Sequence, residues 1–420
     1  MKSARILVAA TAVSLTFCVM AQPRGQANPQ NIDQEANAQK QQQPASDDPF
    51  ADVNPAPPAQ TAPHTSQRSW FGRFFGDNFG FRKEVMSQFD TNENGELASR
   101  QSVGFEILKK FSTETSTVAS FDFQGRFVRR DGFNPVLNDM EGARRQGWAF
   151  EYHNLYVDFY NVFDPLLSDK QRGENVGHFN FRAGRFYTPF GLNLQTDTHG
   201  TVLQLSNERN FGFERDWYSG FWGTLNKNLN YDAYYMAGSG YDLQFKGQTG
   251  LGALRISLSN KYSSEYGLEG GVSLIGGERL WSDMYQTQGV GMNSGSKPVV
   301  IDTERTGLDA RYRRAVPNGL LTLTSEVSGG RDQSKAVTMQ LHQAEYLHSS
   351  RRWGLATQYR RYEQQGLGTD SSMIGEFTWY FRNDVGNSNL HWIKLNIEHQ
   401  ISAIQRRPDT VITLQYYFYR

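Results

Sequence analysis

The chain has 420 residues, with 43 basic and 43 acidic side chains and a mean hydropathy of −0.62. That balance offers no electrostatic footprint for nucleic acid, and outside the N-terminus no run of about 18 apolar residues forms a membrane helix. Low mean hydropathy leaves one membrane class open, the β-barrel, in which every second residue faces a polar interior.

Residues 1–21 have the layout of a secretory signal. Lys2 and Arg5 form a positive start, Ile6 to Met20 an apolar stretch, and Val19 and Ala21 a small-residue cleavage site before Gln22. The single cysteine, Cys18, lies inside that signal, and Phe17 before it does not suit lipid attachment. The mature chain is then free of thiols and disulfides. Removing Lys2 and Arg5 leaves 41 basic residues against 43 acids, a formal charge of −2.

Residues 22–68 are a polar tract of Gln, Asn, Ala and Pro that buries too little apolar surface to offset chain ordering, so a disordered periplasmic tail is expected. An aromatic lead-in, residues 69–101, follows. Trp70, Phe71, Phe74 and Phe75 would share one side of a short helix at a membrane interface or plug a barrel mouth. Within it, Asp90, Asn92, Asn94, Gly95 and Glu96 imitate a calcium loop. The twelfth position is Gln101 rather than the bidentate glutamate such a site needs, so a polar turn before the first strand is expected and no metal is assigned.

From residue 102 to residue 420 the pattern has a period of two. Ala119, Phe121 and Phe123 alternate with Ser120, Asp122 and Gln124; Phe179, Phe181 and Ala183 with Asn180, Arg182 and Gly184. Similar segments recur about every twenty residues, with Val337, Met339 and Leu341 opposing Thr338, Gln340 and His342 among them. The chain ends with Ile412, Leu414, Tyr416 and Phe418 on one face. The spacing predicts an all-β fold, a transmembrane antiparallel barrel of about 16 strands, with 14–18 as the range. A soluble sandwich is the competing architecture. The signal and the aromatic last strand favour the barrel.

The charged faces then line a lumen. They hold Arg126, Arg182, Arg255, Arg311, Arg313, Arg360 and Lys394, against Asp122, Asp158, Asp232, Glu269, Asp309, Glu326, Glu376 and Glu398. Charges of both signs give a transverse field as readily as an anion ladder. A constriction is expected in the break between Leu192 and Trp217, where Arg209, Glu214, Arg215 and Asp216 crowd together. The long break at residues 276–303 is a second candidate, either an external loop or one folding inward.

The stretches GRFYTPFG, residues 184–191, and ERDWYSGFWGTLNKNLNYDAYYMAGSG, with elements at 215–223 and 229–240, resemble the phosphate-selective porin O and P superfamily. The likeness covers roughly residues 100–240. It implies an outer-membrane porin and a homotrimer. Phosphate selectivity does not carry over, because the lumen faces hold as many acids as bases. Tyr419 and Arg420 follow Phe418, a departure from the usual aromatic-terminated assembly signal.

Other chemistries leave weaker traces. His199 and Ser206 hint at a membrane hydrolase, but their spacing puts them on opposite faces of a strand, and no glycine elbow accompanies the serine. His342, Glu345 and His348 lack metal-ligand spacing and read as lumen or rim residues. No cofactor is implied. The expected function is passive diffusion of small hydrophilic solutes or ions, in contact with outer-membrane lipid. The alternatives are a barrel sheathing a partner such as a multihaem electron conduit, and an outer-membrane hydrolase.

Overall fold

The computed structural model describes residues 76, 78–112, 116–132, 147–163, 177–192, 203, 206–226, 228–240, 249–260, 266–280, 300–384, 389–404 and 408–420. The expected signal, the polar tail, His199 and the aromatic cluster Trp70 to Phe75 lie outside the described residues.

Sixteen antiparallel strands close into one barrel: β1 Phe79–Asn92, β2 Leu97–Ser112, β3 Thr117–Gly132, β4 Gly147–Phe159, β5 Asn180–Tyr187, β6 Arg215–Asn226, β7 Leu229–Met236, β8 Gly250–Asn260, β9 Tyr266–Leu280, β10 Val300–Val316, β11 Gly319–Asp332, β12 Lys335–His348, β13 Trp353–Gln364, β14 Gly368–Asp384, β15 Asn389–Ser402 and β16 Thr410–Tyr419. Each strand pairs with its neighbours in sequence, and β1 pairs with β16 to close the ring. Closure removes the two open edges that a sheet of this length would otherwise present. Tyr419 and Arg420 extend the closing ladder: the Lys83 amide donates to the Arg420 carbonyl at 2.6 Å, and the Arg420 amide to the Lys83 carbonyl at 2.9 Å.

The pleat sorts the side chains. On β3 Arg126 is 0% exposed while its neighbour Phe127 is 51% exposed. The same alternation runs through Gln88 and Phe89, Ser273 and Leu274, Asp309 and Leu308, Glu376 and Phe377, Gln415 and Leu414. Polar groups point in and apolar ones point out, the reverse of a water-soluble fold. A continuous apolar outer wall of this extent belongs in a bilayer. Aromatics collect at the barrel end that holds the start of β1 and the end of β16. Phe163 stacks against Phe221 and edges Phe179, His348 stacks on Trp353, and Phe381 meets His391, which also meets Phe418. Such a girdle suits the membrane–water boundary.

The structure corrects the expected strand pattern in four places. The barrel begins at Phe79, so β1 and β2 take up most of what reads as a lead-in. Glu84, Met86, Gln88 and Asp90 of β1 face inward, and Phe81, Val85 and Phe89 outward. The calcium-like stretch is the tight turn between these two strands rather than a turn ahead of the first. The Asn92 side-chain carbonyl accepts from the amides of Asn94 and Glu96, each at 3.0 Å, while Asp90 points inward to Thr413.

The faces of β12 are the reverse of the expectation. Val337, Met339 and Leu341 are buried inside with Tyr362, while Thr338 and His342 are exposed outward. The segment VTMQLH carries no charge to mark the lumen side, so the apolar set decides by finding apolar neighbours. His342 therefore sits on the outer wall, against Ser325 at 3.0 Å and stacked on Tyr359, rather than in the lumen; His348 is also outward. Finally, residues 276–280 belong to β9 and 300–303 to β10, so the second candidate constriction is shorter than expected; its remainder, 281–299, lies outside the described residues.

Candidate functional site

The connection from β5 to β6, residues 188–214, does not simply cap the barrel. Its described residues lie against the inner wall and include a short helix, α1, Ser206–Phe211, the one helix among the described residues. The root is apolar. Phe190 meets Phe211 edge-on at 5.1 Å, Phe213 stacks on Phe211, and this group packs with the inward Met236, Leu251, Ala253 and Ile275 of β7–β9. The Asn207 side-chain amide donates to the Phe190 carbonyl at 2.9 Å, and the Thr188 amide to the Glu214 carbonyl at 2.8 Å, which draws the two ends of the segment together.

The far side of the segment is held by polar contacts to strands across the barrel. The Ser206 hydroxyl donates to Glu326 of β11 at 2.7 Å, and the Ser328 hydroxyl of β11 donates to the Asn210 side chain at 3.1 Å. Arg209 forms a buried ion pair with Asp370 of β14. From β9, the Ser273 hydroxyl accepts from the Gly191 amide at 3.0 Å and Arg279 donates to the Phe211 carbonyl at 2.8 Å. Gly191 has φ 73°, and a Cβ there would lie 2.3 Å from the Glu326 carboxylate, so only glycine lets the chain turn in beside that group.

The four residues expected at a constriction divide into two pairs. Arg209 and Glu214 are on the inserted segment. Glu214 accepts from the Glu208 amide at 2.9 Å, and burial pushes its carboxyl up to about 7, with Glu326 nearby adding to the rise and that amide and Arg215 opposing it. Arg215 and Asp216 belong to the wall. Arg215 donates to Asn154 at 3.1 Å and lies over the Tyr187 ring at 4.0 Å. Asp216 accepts from the amides of Gly238 at 2.5 Å and Gly240 at 2.9 Å, fixing the turn that leaves β7. The stretches 184–191 and 214–240 thus join here, one supplying the root of the segment and the other its anchorage.

All fifteen candidate lumen residues occupy inward positions, and many are already in ion pairs. Arg126 pairs with Glu84 at 2.6 Å, Arg182 with Asp158 at 2.7 Å, Arg255 with Asp309 at 2.7 Å, Arg311 with Glu269 at 2.9 Å and Lys394 with Glu376 at 3.1 Å. Arg360 lies 3.6 Å from Glu398. Arg313 shares the inward face of β10, Asp122 is buried on β3, and Asp232 stands on the inward face of β7. Arg182 also lies over the rings of Tyr156 and Phe186, at 4.5 and 4.3 Å.

Acids and bases are paired around the whole ring, and one stretch concentrates arginines. A bulge in β4, where the β3–β4 register slips between Phe123 and Gly125, gathers arginines. Arg126 donates to His153 at 2.9 Å, Arg185 to the carbonyls of Tyr152 and His153, and Arg215 to Asn154. Across the barrel, β11–β15 present Glu326, Glu345, Asp370, Glu376 and Glu398 together with the bases Arg360 and Lys394. Sequence reasoning misses Arg185, whose position on the strand reads as outward, and Asp370, Ser273 and Ser328, whose partners are more than 80 residues away. Ser206, which reads as a conceivable nucleophile, is a latch hydroxyl bonded to Glu326.

No family model and no curated relative matches the sequence. Comparison of folds does find neighbours. OprB of Pseudomonas putida, in its high-pH structure, is similar with a TM-score of 0.54 at 10% identity, over 82% of this chain and 94% of that one. The anion-selective porin of Comamonas acidovorans gives 0.50 at 10%, over 81% and 98%. A loop-deletion mutant of OmpT, an outer membrane protein of Vibrio cholerae, gives 0.50 at 8%, over 81% and 99%. The architecture is therefore that of a porin-type barrel.

Proposed function

We propose that the protein is an outer-membrane porin, a passive channel for small hydrophilic solutes or ions. The observation that carries this reading is the segment 188–214, which is rooted at β5–β6 and tied inside the barrel to β9, β11 and β14. A segment placed there narrows a water-filled lumen at one level and sets the size of what passes. Ion pairs around the inner wall, Arg126 with Glu84 and Lys394 with Glu376 among them, support a lumen of both signs rather than a ladder of one. The crossing segment also argues against a sheath around a multihaem partner, which needs a clear bore. Export by the N-terminal signal, contact with outer-membrane lipid and assembly as a homotrimer complete the proposal. The motif resemblance supports placing the chain near the O and P porins in architecture, without their anion preference.

Conductance of the purified protein in a planar bilayer under a salt gradient tests this. Discrete conductance steps with a weak reversal potential are expected. Absence of steps from a folded, heat-modifiable barrel overturns the channel reading, and a reversal potential near the ideal value for anions overturns the balanced lumen.

A further inference from the structure

The outer wall is not uniform. Over β15, β16 and β1 its exposed side chains include Ile393, Leu395, Ile397, Leu414, Val85 and Phe89, as a surface against hydrocarbon should. A polar pair stands beside them and is closed on itself: the Ser87 hydroxyl donates to the Gln101 side-chain carbonyl. The wall of β11–β13 differs. Ser325, Gln340, His342, Thr357 and Tyr359 face outward there on adjoining strands, and Ser325, His342 and Tyr359 share one register row. Their sequence neighbours Glu326, Leu341, Gln358 and Arg360 are buried inside. The middle strand, β12, is the one whose apolar set turns inward and whose polar set is left on the outside.

Depth makes this patch unusual. His348 and Trp353 belong to the aromatic girdle, and His342 is six residues along β12 from the first, Tyr359 six along β13 from the second. At about 3.3 Å per residue on strands tilted by about 40°, both stand about 15 Å into an apolar band about 25 Å tall. Thr357 and Gln340, four and eight residues up, lie within the same band. Ser325 meets Nδ1 of His342 at 3.0 Å, and the His342 ring stacks on Tyr359 at 6.4 Å. Among the described residues, the other ring nitrogen of His342, the Gln340 amide and the hydroxyls of Thr357 and Tyr359 have no partner. A polar group left unpaired in hydrocarbon is costly, and lipid tails cannot pair it. The connections 317–318, 333–334, 349–352 and 365–367 are short described turns, so no part of the chain between β10 and β14 folds over this wall.

We propose that the wall of β11–β13 is the contact between copies of this chain in the membrane, where Gln340, His342, Thr357 and Tyr359 meet the polar groups of a second copy. The inference rests on the homotrimer proposed above and assigns its seam. Depth selects the occupant. Copies related by an axis along the membrane normal keep every residue at its own height, so these groups in one copy stand level with the same groups in the next. The set is also complementary to itself. A glutamine amide donates and accepts, the free nitrogen of a neutral imidazole does one or the other, and the two hydroxyls do both. In a three-fold ring the β11–β12 flank of one copy meets the β13 flank of the next, a head-to-tail contact that closes. A lipid tail offers no such groups, and a headgroup lies at the edge of the band rather than within it.

The test is photocross-linking of the full-length chain in cell outer membranes, with p-benzoylphenylalanine in place of Tyr359 or, for comparison, of Leu414 on the apolar wall of β16. Bands at two and three times the chain mass are expected from the first position and not from the second. Gln340→Leu with His342→Leu turns the patch into a surface that suits lipid. It is expected to lower the trimer fraction several-fold in mild detergent, while heat-modifiable migration shows an intact barrel. No multiples from position 359, equal ones from position 414, a band to a different protein, or undiminished trimers from the folded double variant overturns the inference. Conductance of the same preparations keeps the readings apart. Conducting trimers that cross-link elsewhere remove only this inference, conducting monomers remove the homotrimer with it, and trimers joined at position 359 that never conduct remove only the channel.

Discussion

The two sides of the inserted segment are held by different physics. At its root, Phe190, Phe211 and Phe213 pack on Met236, Leu251, Ala253 and Ile275, a non-directional contact that tolerates small shifts. At its far side, Ser206, Arg209 and Asn210 meet Glu326, Asp370 and Ser328 through polar bonds that need one geometry. The difference shows how a chain can be both anchored and adjustable. Apolar burial keeps the segment in the barrel, and the polar latch sets where its tip stands. A perturbation of the latch should therefore change the aperture before it changes the fold, and a perturbation of the root should do the opposite.

The largest effect is expected from Arg209→Ala. It withdraws a guanidinium from the buried Asp370 carboxylate, a loss on the order of 3–5 kcal/mol. The tip is expected to leave the wall, raising single-channel conductance; unchanged conductance in planar bilayers would deny that the pair holds the constriction. Phe211→Ala comes next, with a cavity cost of about 3–5 kcal/mol at a fully buried ring. Because this acts on the root, a lower thermal midpoint by circular dichroism is expected, with noisier rather than uniformly larger conductance steps.

A smaller effect, about 1–3 kcal/mol for a buried carboxylate that loses its hydroxyl donor, is expected of Ser206→Ala. It should raise the frequency of open-state transitions without loss of thermal stability. The mildest is a pH dependence. Burial raises the Glu214 carboxyl to about 7 when the segment is docked, above its ordinary value of 4.5. The docked state then binds more protons than the released one between those values, so docking is strongest below about pH 4.5 and weakens as pH rises through 7. Conductance should climb between pH 5 and pH 8 in the wild type. Glu214→Gln should flatten that slope, and an equal slope in the variant would place the titration elsewhere.

The architecture was legible because alternation is local. Ser120 to Phe123 or Ile393 to Ile397 declare two faces within five residues, and the inward charges follow from the same parity. Legibility failed where parity carries no charge, as at Val337 to His342, or where polar and apolar groups are interspersed with charge, as at Phe79 to Asn92. The site was half legible. Crowded charges at Arg209 and Glu214 marked the segment, but its partners come from strands far along the chain, and no spacing announces that Ser206 meets Glu326 or that Arg209 meets Asp370. Closure of the ring creates those neighbours. The bulge that gathers Arg126, Arg185 and Arg215 around Tyr152 to Asn154 is equally silent in sequence, since one inserted residue leaves no compositional trace.

The most direct test of the central claim is single-channel conductance of the wild type beside Arg209→Ala, recorded in the same bilayer and salt. The latched-segment account predicts discrete wild-type steps and larger steps for the variant, with both proteins migrating as folded barrels. Equal steps from the two would show that the segment at Arg209 does not set the aperture, and the constriction would have to be sought elsewhere in the wall.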